Sequence, residues 1–170
     1  LVIPENVVTV GNYAFSGCTG ITSLVVGNKT EVLGNHAFEN CTGITSLNMG
    51  DGVEAIGDYA FRGCTGITYL DISSETVGIG NYAFAGCTGL SGTLTIPEKV
   101  TIIGGHAFEG CTGFTGNLKI PNSVKTIGDY AFSSFGHQSY YRTLSFGTGL
   151  VSIGNHAFDG AGFEGGLVLP

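Results

Sequence analysis

The chain has 170 residues, 42% of them apolar and only 11% charged, with Gly at 30 positions. That is too apolar for a disordered segment, and a glycine share well above the usual ~7% points to a backbone rich in turns. A formal net charge of −7, with six scattered Lys and Arg residues, argues against nucleic acid and anionic membrane as partners, which need clustered cations; no apolar run approaches the ~20 residues of a membrane-spanning helix, and no direct membrane insertion is expected.

The chain opens on Leu1-Val2-Ile3-Pro4, the first of eight Leu-x-apolar segments. The others are Leu24/Val26, Leu47/Met49, Leu70/Ile72, Leu94/Ile96, Leu118/Ile120, Leu144/Phe146 and Leu167/Leu169. Apolar residues two apart share one face of an extended backbone, so each segment reads as a short strand with one buried side. A second apolar pair follows, Val7/Val10, Val53/Ile56, Val100/Ile103, Val124/Ile127 and Leu150/Ile153 among them. It is expected to carry the interior around a corner.

Next comes G-x-x-A-F, which occurs seven times and ends at Phe15, Phe38, Phe61, Phe84, Phe108, Phe132 and Phe158, spaced by 23, 23, 23, 24, 24 and 26 residues. The distance from each strand Leu to the next Phe is always 14, whereas from Phe to the following Leu it is 9, 9, 9, 10, 10, 12 and 9. All length variation therefore sits in one loop, as in a solenoid whose register is held elsewhere.

The residue after the motif glycine is Asn12, Asn35, Asp58, Asn81, Gly105, Asp129 or Asn155, types favoured at a helix N-cap. Two residues after Phe stands Gly17, Asn40, Gly63, Gly86, Gly110, Ser134 or Gly160, as a left-handed stop requires. A helix of about one turn is predicted between them. The fold class is a repeat solenoid: a right-handed, leucine-rich-repeat-like coil of seven repeats of 23–26 residues, with short parallel strands on one face and short helical turns on the other.

Segments such as Val53-Glu-Ala-Ile-Gly-Asp-Tyr-Ala-Phe-Arg-Gly-Cys-Thr-Gly-Ile-Thr-Tyr-Leu-Asp-Ile72 resemble the BspA-like leucine-rich repeat family of bacterial and trichomonad surface proteins. The resemblance covers nearly the whole chain. It implies a surface-exposed, extracellular adhesion module that binds host proteins, with fibronectin-type ligands among those attributed to relatives, and it supplies no single binding motif to transfer. Residues 1–170 read as one solenoid, a fragment of a longer array, because Leu167-Val-Leu-Pro170 repeats the opening motif without a polar cap. The departures are Ser133-Ser-Phe-Gly-His-Gln-Ser-Tyr-Tyr-Arg142, which replaces the usual x-G-C-T-G-I-T, and Ala161 in the Cys place.

Cys18, Cys41, Cys64, Cys87 and Cys111 form one column that continues as Phe135 and Ala161, so buried, reduced thiols acting as small hydrophobes are expected. His36, His106 and His156 share a column with Tyr13, Tyr59, Tyr82 and Tyr130; it reads as a half-exposed position lying over the neighbouring repeat, with an aromatic strip for ligand stacking as the alternative. Histidines two or three repeats apart cannot share an ion, and no catalytic, phosphate-binding or dinucleotide signature occurs. Neither a metal nor a cofactor is expected, and the chain reads as non-enzymatic.

The exposed strand face is mostly small and polar, and solenoids commonly bind partners on such faces; Tyr69, Asp71, Asn117 and Lys119 are the candidates there. The irregular loop adds His137, Tyr140, Tyr141 and Arg142, because Tyr and Arg are enriched at binding hot spots; the alternative is a plug for an irregular turn, in which Phe135 fills the Cys place, Tyr141 covers the wider gap and the rest is an insertion. The binding role requires Tyr140 and Arg142 to be exposed. A binding module for a host or extracellular-matrix protein is the leading expectation, and an accessory carbohydrate-binding or spacer domain of a larger surface protein is the alternative.

Overall fold

The computed structural model describes residues 1–136 and 142–163 and the backbone of 167–168. Seven two-residue strands, β1 (Thr9–Val10), β3 (Val32–Leu33), β5 (Ala55–Ile56), β6 (Gly78–Ile79), β7 (Ile102–Ile103), β9 (Thr126–Ile127) and β11 (Ser152–Ile153), form one parallel sheet in the order β1-β3-β5-β6-β7-β9-β11. Parallel neighbours so close in sequence leave the chain no route except around the core and back. Each crossover is therefore one turn of a solenoid.

Across the core, the Leu-x-apolar segments make a second, broken set of strands. β2 (Ser23–Val25) pairs with β4 (Ser46–Asn48), and β8 (Leu118–Ile120) pairs with β10 (Leu144–Phe146), which pairs with β12 (Leu167–Val168). The segments 70–72 and 94–96 are not strands. The continuous sheet thus lies where the sequence led us to expect a corner. Its residues stand at a fixed distance before each Phe, with no insertion between, whereas the Leu-x-apolar segments follow the loop that takes up every length change. Gly92, at φ 76°, is the extra residue before Leu94, and only a single bridge to Phe114 survives there.

The expected short helices do not form: among the described residues there is no helix, only tight turns. Amides alternate between two kinds of acceptor. Ala14, Ser16 and Cys18 donate to carbonyls three residues back, while Tyr13, Phe15 and Gly17 donate to Asn35, Ala37 and Glu39 of the next turn. Tyr13 (φ 59°) and Gly17 (φ 71°) are left-handed, so no run of α-helical dihedrals can build up. The predicted capping residues also bond to the next turn rather than to their own: Asn12 Oδ1 accepts from Asn35 N, Asn35 Oδ1 from Asp58 N, and Asp58 Oδ1 from Asn81 N.

The interior is a set of rows. Phe15, Phe38, Phe61, Phe84, Phe108, Phe132 and Phe158 stack with ring centroids 5.2–5.4 Å apart and within 10° of parallel, and the five inner rings have no exposure. Each such ring, removed from water, stabilises the fold by roughly 1.5–3 kcal/mol. Beside them run Leu33, Ile56, Ile79, Ile103 and Ile127, all buried. The motif glycine is fixed by close stacking: a Cβ on Gly57 would stand 2.7 Å from the backbone nitrogen of Asn35.

Candidate binding surfaces

The Tyr and His column forms a continuous stacked ladder. Tyr13, His36, Tyr59, Tyr82, His106, Tyr130 and His156 have neighbouring ring centroids 4.2–4.9 Å apart, within 13° of parallel. All seven residues are left-handed, with φ between 54° and 59°, a region unusual for bulky side chains. Each ring lies over its neighbour in the next turn, as expected from the repeat, and so presents an edge rather than a face to a ligand. Three residues after each His stands an acid: His36 Nδ1 to Glu39 Oε2 is 2.7 Å, His106 Nδ1 to Glu109 Oε2 2.9 Å, and His156 Nδ1 to Asp159 Oδ2 3.8 Å.

The cysteine column is also a row, and all five thiols are free. Four are buried, but Cys18 is exposed, which corrects the expectation of five buried thiols. Each buried Sγ donates to the Phe carbonyl of the preceding turn, at 3.0–3.1 Å from Phe15, Phe38, Phe61 and Phe84; Cys18, on the first turn, has no such turn before it among these residues. Burial pushes the other four thiols up, Cys111 to about 12 and Cys64 and Cys87 well above the usual value. They are packing groups rather than nucleophiles.

Arg142 requires a second correction. The side chain that a binding role would place at the surface is 1% exposed. Its Nε and Nη2 donate to Gly162 O at 3.0 and 2.7 Å, Nη2 to Phe135 O at 3.2 Å and Nη1 to Phe114 O at 3.3 Å. Rings close the pocket, with Cζ 4.9 Å from the Phe163 centroid and 5.8 Å from that of Phe135. Phe135 fills the Cys place, at 1% exposure. With the Cys-Thr-Gly turn missing, three interior carbonyls need donors, and a planar five-donor group reaches all of them. His137, Tyr140 and Tyr141 lie outside the described residues.

The strand-face candidates fall where the second set of strands breaks. Between β4 and the unpaired segment 70–72 opens a groove of about 510 Å³ that includes Asn48, Asp51, Tyr69, Asp71, Ser73 and Ser74. Leu70 anchors the segment inward at 5% exposure, and Tyr69 projects outward at 64%. A second groove, of about 230 Å³, includes Thr93, Thr95, Glu98, Asn117 and Lys119, with Lys119 Nζ 3.4 Å from Glu98 Oε1. Tyr69 with Asp71, and Asn117 with Lys119, thus line two separate hollows on one face. Asn117 Oδ1 accepts from Thr143 N, directly after Arg142, at 2.8 Å, whereas Arg142 itself lines neither hollow.

Matched against protein families, residues 1–115 and 78–164 fit the BspA type leucine rich repeat region, in six copies. The chain belongs to the BspA-type leucine-rich repeat family. Among solved members of this architecture, a T. pallidum leucine rich repeat protein is 26% identical, with a TM-score of 0.82 over 95% of this chain and 76% of that one. A Bacteroides ovatus leucine-rich repeat protein is 26% identical with a TM-score of 0.61, over 96% of this chain and 62% of that one. A leucine rich cell surface protein from Faecalibacterium prausnitzii, 22% identical with a TM-score of 0.54 over 92% and 56% of the two chains, shares the fold. No curated protein matches the sequence.

In this BspA-type solenoid one surface escaped the sequence reading: the outer face of the seven-stranded sheet. Two rows cross it. The outward row of the strands runs Thr9, Val32, Ala55, Gly78, Ile102, Thr126, Ser152 in register. The row before it, linked turn to turn by backbone bonds, runs Val8, Glu31, Glu54, Val77, Thr101, Lys125, Val151. Val8, Val32, Val77, Ile102 and Val151 are 37–80% exposed. Taking the sixth and seventh residues before each motif Phe would have exposed both rows, but those positions look like a mere corner when the Leu-x-apolar segments are taken as the only strands.

Proposed function

We propose that residues 1–170 form a non-enzymatic binding module of a cell-surface protein, which engages an extracellular protein of host or matrix origin through the grooved Leu-x-apolar face. The observation that carries this reading is the groove beside Tyr69: a large exposed aromatic, alone of its kind in its column, stands next to Asp71 in a hollow where the strand ladder is interrupted. An exposed aromatic with a polar handle is the type of group that dominates binding energy. Asn117 and Lys119, in the second hollow, extend the contact along the same face. Family membership supports an extracellular setting, and the repeat architecture supports a role in recognition.

A glycan is the second reading, favoured by the same groove, since a Tyr ring beside Asp51, Asp71 and Asn48 offers stacking together with hydroxyl partners. Surface plasmon resonance against a panel of extracellular-matrix proteins, alongside a glycan array, separates the two. With a matrix protein as ligand, Tyr69→Ala and Lys119→Ala should each weaken binding by roughly tenfold or more without changing the unfolding midpoint. Binding that ignores both substitutions overturns the assignment to this face, and silence on both panels leaves a spacer.

A further inference from the structure

The outer face of the seven-stranded sheet carries a pattern that the grooved face does not explain. Eleven large apolar side chains are exposed among the described residues, and five of them, Val8, Val32, Val77, Ile102 and Val151, lie in its two rows. Val8 with Val32 and Val77 with Ile102 stand on neighbouring turns, and exposed apolar side chains clustered in this way mark an interaction surface. The charges on the same face are Glu31 and Glu54 in the second and third turns and Lys125 in the sixth. Among the described residues none of the three has an ion-pair partner.

We propose that this face is where two copies of the chain associate, running antiparallel about a two-fold axis through Gly78, the central residue of the outward row. Turning one copy by half a revolution about that point sets the second turn against the sixth and the third against the fifth. Glu31 then faces Lys125 of the second copy, and Lys125 faces its Glu31. Ile102, the largest side chain of the outward row, meets Ala55, one of the smallest. Val77 meets its own equivalent, and Val8 meets Val151. A parallel alignment would instead set Glu31 and Glu54 against themselves, which like-charge repulsion disfavours. A patch complementary to itself under a two-fold is the signature of an isologous dimer.

The size of the patch fixes the strength. Seven strands at ~4.8 Å and a width of about three residues give a strip of roughly 29 by 10 Å, well under the ~800 Å² per partner of a standard interface. The dimer is therefore weak and concentration-dependent. It leaves the Tyr69 groove uncovered, so each dimer offers two ligand faces.

Sedimentation equilibrium of residues 1–170 from about 10 μM to about 1 mM tests the proposal independently of any ligand. The wild-type chain should shift from monomer toward dimer across this range. Ile102→Lys should hold it monomeric, and Glu31→Lys or Lys125→Glu alone should each raise the dissociation constant by roughly tenfold. Because the contact is reciprocal, E31K and K125E combined in one chain should restore wild-type association. A chain that stays monomeric throughout overturns the proposal, as does a dimer indifferent to Ile102→Lys. A double variant no tighter than its parents overturns the two-fold register. Circular dichroism on each variant confirms that these exposed substitutions leave the fold intact.

Discussion

Gly136 and Arg142 are fitted to one another: Gly136 is left-handed at φ 71°, and a Cβ added to it would collide with the Arg142 guanidinium. The glycine leaves room for a buried cation that ties Phe114, Phe135 and Gly162 together. Arg142→Ala should cost on the order of 3 kcal/mol, because it leaves buried carbonyls without donors. Arg142→Lys should recover little, since one ammonium cannot match the planar fork. Gly136→Ala should be damaging too, through both the collision and the left-handed backbone. Urea denaturation of the three variants checks the order, and an Arg142→Ala protein as stable as the parent would refute it.

The thiol row predicts a labelling pattern. At mildly alkaline pH a thiol reagent should modify Cys18 alone in the folded chain and all five cysteines once guanidinium is added, since reactivity follows exposure and thiolate fraction. Rapid modification of a second thiol in the folded state would contradict the burial of the row. Because Cys64 Sγ already donates to Phe38 O at 3.1 Å, a hydroxyl there inherits an acceptor. Cys64→Ser should therefore cost only about 1 kcal/mol.

The aromatic ladder separates two contributions at one position. Tyr82 holds φ 56° and stacks on Tyr59 at 4.7 Å and on His106 at 4.2 Å. Tyr82→Val loses both stacks and forces a β-branched residue into the left-handed region, for about 2–4 kcal/mol. Tyr82→Asn keeps a tolerated backbone and loses only the stacks, about 1 kcal/mol. Tyr82→His, a residue the column already uses, should be nearly neutral. Equal losses for Val and Asn would show that the backbone carries no strain here.

Much of this was legible in the primary structure, and the failures have physical causes. The constant spacing from Leu to Phe fixed the coil, its rows and its variable loop, because a stacked array cannot change length where it must keep register. The turns were misjudged because a cap-like Asn12, which here accepts from the next turn, and a stop-like Gly17, which here is left-handed, suit this arrangement as well as a helix, and sequence does not distinguish an amide that bonds within its turn from one that bonds to the next. Arg142 was misplaced for a different reason. Its burial depends on carbonyls at Phe114 and Gly162, 28 and 20 residues away, that no local pattern brings together. Tyr69 was visible as the one large aromatic of its column, but the groove around it and Asp71 depends on a lost strand pairing.

Acid should weaken one link between turns. Burial pushes the Glu39 carboxyl up, but hydrogen bonds from His36 and Arg62, at 2.7 and 3.0 Å, outweigh it and hold its pKa below the usual carboxylate value. A carboxyl depressed in the folded state stabilises the fold at pH values above its unfolded pKa of about 4.3, and that contribution is lost as pH falls through the folded value. Glu39→Gln should therefore be less stable than the parent at pH 7, and the gap should close on approaching pH 3. A gap of constant size in urea midpoints would mean that the ionised form contributes nothing.

The alternation of amides described for the first turns has an electrical consequence. Tyr13, Phe15 and Gly17 donate forward to the following turn, whereas Glu31, Gly34 and Thr45 donate backward to Val8, Val10 and Thr22. Amides that bond between turns thus point along the axis in both directions. An α-helix aligns its dipoles and accumulates roughly half an elementary charge at each end; here they oppose one another turn by turn. Dipoles that alternate in this way do not accumulate as those of a helix do when turns are stacked, and the full charges a partner meets are side chains such as Glu31, Asp71 and Lys125.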